Sequence, residues 1–162
     1  MLIGVVSDTH GHTAYTAAAV RMLESLEVSL VIHCGDIGSP AIPAMFAAWP
    51  THFVFGNVDG DQRELGEAIA EEASLTSHGR FGSLTLEGVK IAFLHSDDAR
   101  LFRQTIASGE WELVCYGHTH KAEQHRQGDT LVLNPGAIYR ANPRSIAVVE
   151  LPKLQATIVP LE

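Results

Sequence analysis

Apolar residues come in short runs along this chain, and five of those runs end in side chains of a similar kind. Leu2 to Val6 leads into Asp8-Thr9-His10, and Leu30 to Ile32 leads through His33-Cys34 into Gly35-Asp36. Phe53 to Phe55 meets Gly56-Asn57, and Val89 to Leu94 meets His95. Leu113 to Tyr116, broken only by Cys115, opens into Gly117-His118-Thr119-His120. Short runs bounded by Gly and turn residues read as buried strands.

Between the first strands the period changes to that of a helix. Tyr15, Ala18, Met22, Leu23 and Leu26 recur at helical spacing within Thr13–Leu26. After the strand ending at Asp36, Ser39-Pro40 predicts a short helix through Ala48, since Pro suits a first turn. After the strand ending at Asn57, Asp61 with Glu64 resembles a capping box for another helix. Strand–helix–strand repeats of this length imply parallel pairing with right-handed crossovers.

The second half reads differently. Thr76–His78, Ser83–Leu86 and Val89–Leu94 look like strands joined by turns at Gly79-Arg80-Phe81-Gly82 and Glu87-Gly88. One helix follows, capped by Asp97, lined inside by Leu101, Phe102, Thr105 and Ile106, and ended by Gly109. Then come strands at Glu112–Tyr116, Ala122–Arg126, Thr130–Leu133, Ser145–Leu151 and Gln155–Val159, with Gly128-Asp129 the clearest turn. The pattern predicts a single α/β domain over residues 1–162. Its two mixed β-sheets pack face to face with helices outside, a four-layer α/β/β/α sandwich.

Composition narrows the picture. With 46% hydrophobic and 19% charged residues, the chain is that of a globular domain. A net charge of −8 with scattered Lys and Arg argues against a general nucleic-acid surface. An anionic substrate must then be drawn by bound cations. The N-terminus has no basic region ahead of an apolar segment, so no signal peptide is expected. No run approaches the ~18 apolar residues of a membrane span. Cys34 and Cys115 lie inside strands and read as reduced core thiols of a cytoplasmic protein.

Taken singly, each polar strand end has a plain structural explanation. Asp-x-His after a strand can cap a helix, Gly35-Asp36 and Gly56-Asn57 are turn signals, and a lone His95 suits a hydrogen-bonded core histidine. Together they place two Asp, one Asn and four His just past strand ends, which converge on one crevice in such sheets. Carboxylate, imidazole and amide oxygen without thiolate suit manganese first among the expected ions, with iron, nickel, cobalt or zinc also compatible. Seven ligands exceed the needs of one tetrahedral ion. Two divalent metal ions ~3.5–4 Å apart form a clamp for in-line phosphoryl displacement.

With Asp8-x-His10, Gly35-Asp36, Gly56-Asn57, His95 and Gly117-His118-x-His120 in this order, the chain resembles a calcineurin-like metallophosphoesterase. It is most similar to the small single-domain bacterial and archaeal phosphodiesterases of that superfamily. The resemblance spans the chain and implies the same sandwich fold. It implies that Asp8, His10 and His120 hold one metal, that Asn57, His95 and His118 hold the other, and that Asp36 bridges them. A hydroxide between the metals is then expected to attack phosphorus in line. The expected substrate is a small phosphoester, a phosphodiester or nucleotide. A phosphomonoesterase with the same site, or a non-catalytic scaffold of the same fold, is the alternative. The resemblance also implies a homodimer.

Three departures stand out. Larger members carry His after Gly-Asn, acting on the leaving group, where this chain has Val58. Ser96 replaces the usual Gly after the lone His, and Ala137 replaces a Ser after Asn134-Pro135-Gly136. His12 and Asp59 are the nearest candidates to assist proton transfer, although His12 also reads as a turn residue and Asp59 as support for a ligand. Arg140 and Arg144, flanking Asn142-Pro143, read as surface or interface residues in preference to phosphate contacts.

Overall fold

A computed structural model describes residues 1–162. In chain order the strands are β1 (Leu2–Val6), β2 (Leu30–His33), β3 (Thr51–Phe53), β4 (Leu75–Ser77), β5 (Phe81–Leu86) and β6 (Val89–Leu94). They continue with β7 (Leu113–Cys115), β8 (Glu123–Gln127), β9 (Thr130–Asn134), β10 (Arg144–Glu150) and β11 (Gln155–Leu161). The helices are α1 (Thr13–Ser25), α2 (Gln62–Ala70) and α3 (Ala99–Ala107).

Six strands form one sheet in the order β11-β10-β1-β2-β3-β4, and five form the other in the order β5-β6-β7-β9-β8. Both are mixed. β1 to β4 pair in parallel while β10 runs antiparallel to β1, and β6, β7 and β9 are parallel with antiparallel hairpin strands at both edges.

The period-2 alternation of the strands divides the core into three slabs. Ile3, Val5 and Ile32 of the first sheet meet Ile91, Phe93, Leu113 and Leu133 of the second. On its outer face the first sheet presents Val6, Val31 and Phe53 to Leu23 of α1 and to Leu65 and Ile69 of α2. The outer face of the second sheet offers Ala92, Leu94 and Val114 to Leu101, Phe102 and Ile106 near or on α3. The order is therefore helices, sheet, sheet, helix: the expected α/β/β/α sandwich. No helix is long and apolar enough to cross a membrane.

Local details depart from the sequence expectations. The helix expected from Ser39 to Ala48 is a single 3-10 turn at Pro43–Phe46. Pro43 lacks the amide hydrogen that a helix begun at Pro40 needs for its first bond back to the Ser39 carbonyl. Asp98, not Asp97, caps α3 by accepting from the Leu101 amide at 3.0 Å. Asp97 instead pairs with Arg80. Phe81 starts β5, so the turn before it is shorter than expected. Asp61 does cap α2, its carboxylate accepting from the Glu64 amide at 3.1 Å.

Candidate metal centre

Parallel strands point their carboxyl ends the same way, and both sheets empty their loops onto one edge of the sandwich. Asp8 and His10 follow β1, Asp36 follows β2 and Asn57 follows β3; His95 follows β6, and His118 and His120 follow β7. Backbone bonds lace these loops together. The Asp8 amide donates to the Gly35 carbonyl at 3.0 Å, the His10 amide to the Asp36 carbonyl at 3.0 Å, and the Gly117 amide to the His95 carbonyl at 3.3 Å.

The loops need unusual backbone. Asp8 (φ 58°), His10 (45°), Asp36 (54°), His118 (73°) and His120 (61°) all adopt the left-handed region, as does Ser96 (84°) beside His95. L-residues hold such conformations at a cost of about 1–3 kcal/mol each, and they cluster where function requires it. No periodicity or composition reveals this, so it was invisible in the sequence.

The seven polar side chains come together in two groups that share one residue. Asp8, His10, Asp36 and His120 form the first, and Asp36, His95 and His118 the second. In the first, His10 Nε2 lies 3.4 Å from Asp8 Oδ1 and 3.5 Å from Asp36 Oδ2. His120 Nε2 lies 3.1 Å from Asp8 Oδ1 and 3.3 Å from His10 Nε2. In the second, His95 Nε2 is 3.1 Å from Asp36 Oδ2. Asn57 joins it, its Oδ1 standing 3.1 Å from His118 Nδ1. Asp36 Oδ2 is the atom within reach of both groups.

These atoms fit cations better than they fit one another. Asp8 Oδ1 and His95 Nε2 are buried without any hydrogen-bond partner. Donor atoms around a cation with bonds of about 2.0–2.2 Å stand ~2.8–3.6 Å apart, the spacing seen here. The remaining atoms of the same side chains are held from behind. Asp8 Oδ2 accepts from Ser7 Oγ at 2.6 Å and from the His118 amide at 3.1 Å. Asp36 Oδ1 accepts from the Val58 amide at 3.1 Å. His95 Nδ1 donates to the Cys34 carbonyl at 2.8 Å, which leaves the Nε2 lone pair facing the site.

The electrostatics follow from this crowding. Burial pushes the Asp8 carboxyl up, but His10, His95, Ser7 and His120 outweigh it and hold the pKa at about 2. Burial likewise pulls the His95 imidazole down, and the carboxylates of Asp36 and Asp8 with the Cys34 carbonyl reverse it, leaving its pKa raised.

The two side chains considered for proton transfer hold the scaffold. Asp59 is buried, and its carboxylate accepts from the amides of Gly56 (2.8 Å), Gly38 (3.0 Å) and Ile37 (3.1 Å), bracing the Asp36 loop against the Asn57 loop. His12 caps α1 by accepting from the Tyr15 amide at 3.1 Å, and its ring stacks on Tyr15 with centroids 3.8 Å apart. Both Asp59 oxygens and His12 Nδ1 are thus engaged in holding backbone amides.

Three supporting residues escaped the sequence reading. Ser7 orients Asp8, as above. Asn134 ties the His118–His120 loop down, its Nδ2 donating to the Gly117 carbonyl (3.2 Å) and Thr119 Oγ1 (3.0 Å). His33, fully buried, accepts the Gly35 amide at Nδ1 (3.2 Å) and meets Thr9 Oγ1 at Nε2 (3.1 Å). Thr9 in turn donates to the Ile37 carbonyl at 2.9 Å. The chemistry around Asn134-Pro135-Gly136 was the one available signal.

Burial lowers the His33 pKa from 6.5 to about 3. The folded chain keeps this imidazole neutral where the unfolded chain takes up a proton. The contribution of His33 to stability is therefore complete above pH 6.5 and declines as pH falls toward 3, by up to about 1.4 kcal/mol per pH unit. Burial also lowers His52, to about 4, so it adds to the same slope. Thermal melts of the metal-free chain between pH 7 and 4.5 should show the decline, and His33→Gln should make it shallower, leaving the part that His52 contributes.

The comparisons with known proteins agree with this geometry. The calcineurin-like phosphoesterase superfamily domain model matches residues 1–153. This chain belongs to that superfamily. It is similar to a phosphodiesterase of Methanocaldococcus jannaschii, 29% identical over 100% of both chains. A Bacillus subtilis protein named as a probable metallophosphoesterase is 30% identical over 98% of this chain and 89% of its own. Among solved structures, an archaeal phosphodiesterase superposes with a TM-score of 0.90 at 28% identity, covering 99% of this chain and 100% of that one. The superfamily is one of metal-dependent hydrolases, and this member retains a metal-competent donor set.

Proposed function

We propose that the chain is a dinuclear metal-dependent phosphodiesterase. Asp8, His10 and His120 hold one divalent ion, Asn57, His95 and His118 hold the second, and Asp36 bridges them. The observation that carries this reading is the position of Asp36 Oδ2, 3.5 Å from His10 Nε2 and 3.1 Å from His95 Nε2. Manganese is the expected ion, since the donors are oxygen and imidazole without thiolate. When bound, such ions lower the pKa of water to about 7 and offset charge on phosphoryl oxygens, which suits in-line attack at neutral pH.

The chain's own groups orient and hold. Ser7 and the His118 amide fix Asp8, the Val58 amide fixes Asp36, and the Cys34 carbonyl sets the His95 tautomer. Val58 is 47% exposed beside Asn57 and offers no proton. Protonation of the departing oxygen therefore falls to solvent, and esters with good leaving groups react fastest. Diester preference is supported by the relative and the solved neighbour that are named phosphodiesterases. The test is hydrolysis of bis(p-nitrophenyl) phosphate against p-nitrophenyl phosphate, with metal content measured on the same sample. Two ions per chain and faster diester turnover are expected. No stoichiometric metal under added manganese would sink the reading, and faster monoester turnover would replace it with a phosphomonoesterase.

A further inference from the structure

β6 hands the chain to His95 and then to Ser96, where the superfamily usually has Gly. The backbone at Ser96 has a φ of 84°, a left-handed conformation that Gly adopts freely and a residue with a side chain holds only at a cost. The side chain can offset that cost only through its hydroxyl, which donates to the Gly117 carbonyl at 3.2 Å. That carbonyl belongs to the peptide group joining Gly117 to His118, and the peptide stands between ligands of both proposed ions. Its N–H donates to Asp8 Oδ2 at 3.1 Å, and His118 itself belongs to the second donor group.

The Gly117 carbonyl also accepts from Asn134 Nδ2 at 3.2 Å and from the Thr119 amide at 2.9 Å. The Thr119 bond closes within the loop and moves with it. Asn134 reaches the carbonyl from the end of β9, whereas Ser96 reaches it from the end of β6, next to His95. The Gly117 amide donates to the His95 carbonyl at 3.3 Å, so the His95 and His118 loops are fastened by one backbone bond and one side-chain bond. On its other side the peptide has no slack. A Cβ on Gly117 would collide with Ser7 Oγ and stand 2.7 Å from Asp8 Oδ2.

We propose that Ser96 is a positioning residue of the metal centre, its hydroxyl fixing the Gly117–His118 peptide and through it both Asp8 and His118. This rests on the dinuclear reading above. A hydrogen bond to the carbonyl polarises the peptide and strengthens donation by its N–H to Asp8. Asp8 Oδ2 is thereby held back, and the buried Oδ1, which has no hydrogen-bond partner, is left facing His10 at 3.4 Å and His120 at 3.1 Å. Glycine at position 96 would ease the backbone and leave the backbone bond alone to fasten the two loops. With serine the backbone is less comfortable and the metal is held more tightly.

The test separates the hydroxyl from the backbone. Ser96→Ala removes the hydroxyl and keeps the left-handed strain, whereas Ser96→Gly removes both. Chelator competition on the manganese-loaded full chain should show affinity about tenfold lower in each variant, the low end of the range for partners that orient metal ligands. Melting temperatures in excess chelator should differ, with Ser96→Gly above Ser96→Ala. A role confined to fold stability would make affinity follow melting temperature, so that Ser96→Gly binds manganese more tightly than Ser96→Ala. That pattern, or unchanged affinity in Ser96→Ala, overturns the proposal. If the unmodified chain takes up no stoichiometric manganese, the dinuclear reading falls, and the role of Ser96 with it.

Discussion

Asp36→Ala is expected to lower kcat/KM for bis(p-nitrophenyl) phosphate by more than about 100-fold, beyond the usual cost of removing a merely supporting partner. The metal content of the purified chain should fall in the same variant from two ions toward none. Asp36 Oδ2 is the atom common to both donor groups, so its loss is felt by each. A single-ion ligand would leave the other group intact and retain one ion. Asp36→Asn separates this from misfolding. The amide keeps an oxygen to accept the Val58 amide, now at 3.1 Å from Oδ1, but loses the charge that balances two cations. Its melting temperature in chelator should match that of the unmodified chain, while metal and activity are lost. Full metal occupancy in both variants would remove Asp36 from the bridging position.

The second large effect comes from a residue with no side chain. A Cβ on Gly56 would collide with Asp36 Oδ1, stand 2.5 Å from the Asp36 amide nitrogen and 2.8 Å from His95 Cδ2. Two of those neighbours belong to proposed ligands and one is backbone, so none can yield without moving the centre. The Gly56 amide also donates to Asp59 at 2.8 Å, which pins this loop to the Asp36 loop. Gly56→Ala is therefore expected to destabilise the fold by about 1–3 kcal/mol, the range for overpacked sites. It should also weaken metal binding, read by a lower melting temperature and by metal titration. An alanine variant with unchanged stability and metal affinity would mean that the Asp36 and Asn57 loops are not held in the close contact described here.

Much of the architecture could be read from the chain because its strands are short, apolar and punctuated. β1, β6 and the β8–β9 hairpin at Gly128-Asp129 follow the pattern of apolar residues and turns directly. The convergence of seven polar strand ends follows from parallel pairing, which aims the carboxyl ends of β1, β2 and β3 one way. What escaped depends on three-dimensional neighbours. Asp97 and Asp98 offer the same cap chemistry, and only the approach of Arg80 decides between them. The left-handed backbone of Asp8, His10 and Asp36 is imposed by the interlocking of adjacent loops and has no local signature in L-residues. Asp59 could be named but not aimed: its three amide donors come from two different loops.

The sandwich itself acquires a second kind of cohesion from where its polar ends lie. Asp8, His10, Asp36 and Asn57 leave the six-stranded sheet, whereas His95, His118 and His120 leave the five-stranded one. Each proposed ion is therefore gripped from both sheets, like a rivet through two plates otherwise fastened by the apolar slab between them and by a few hydrogen bonds between their loops. An ion present at 100 times its dissociation constant adds about 2.7 kcal/mol to the folded state. Affinity for metal and the mechanical tightness of the sheet pair then become one property, and any substitution that loosens the slab near Ile32 or Phe93 is also a substitution at the metal centre.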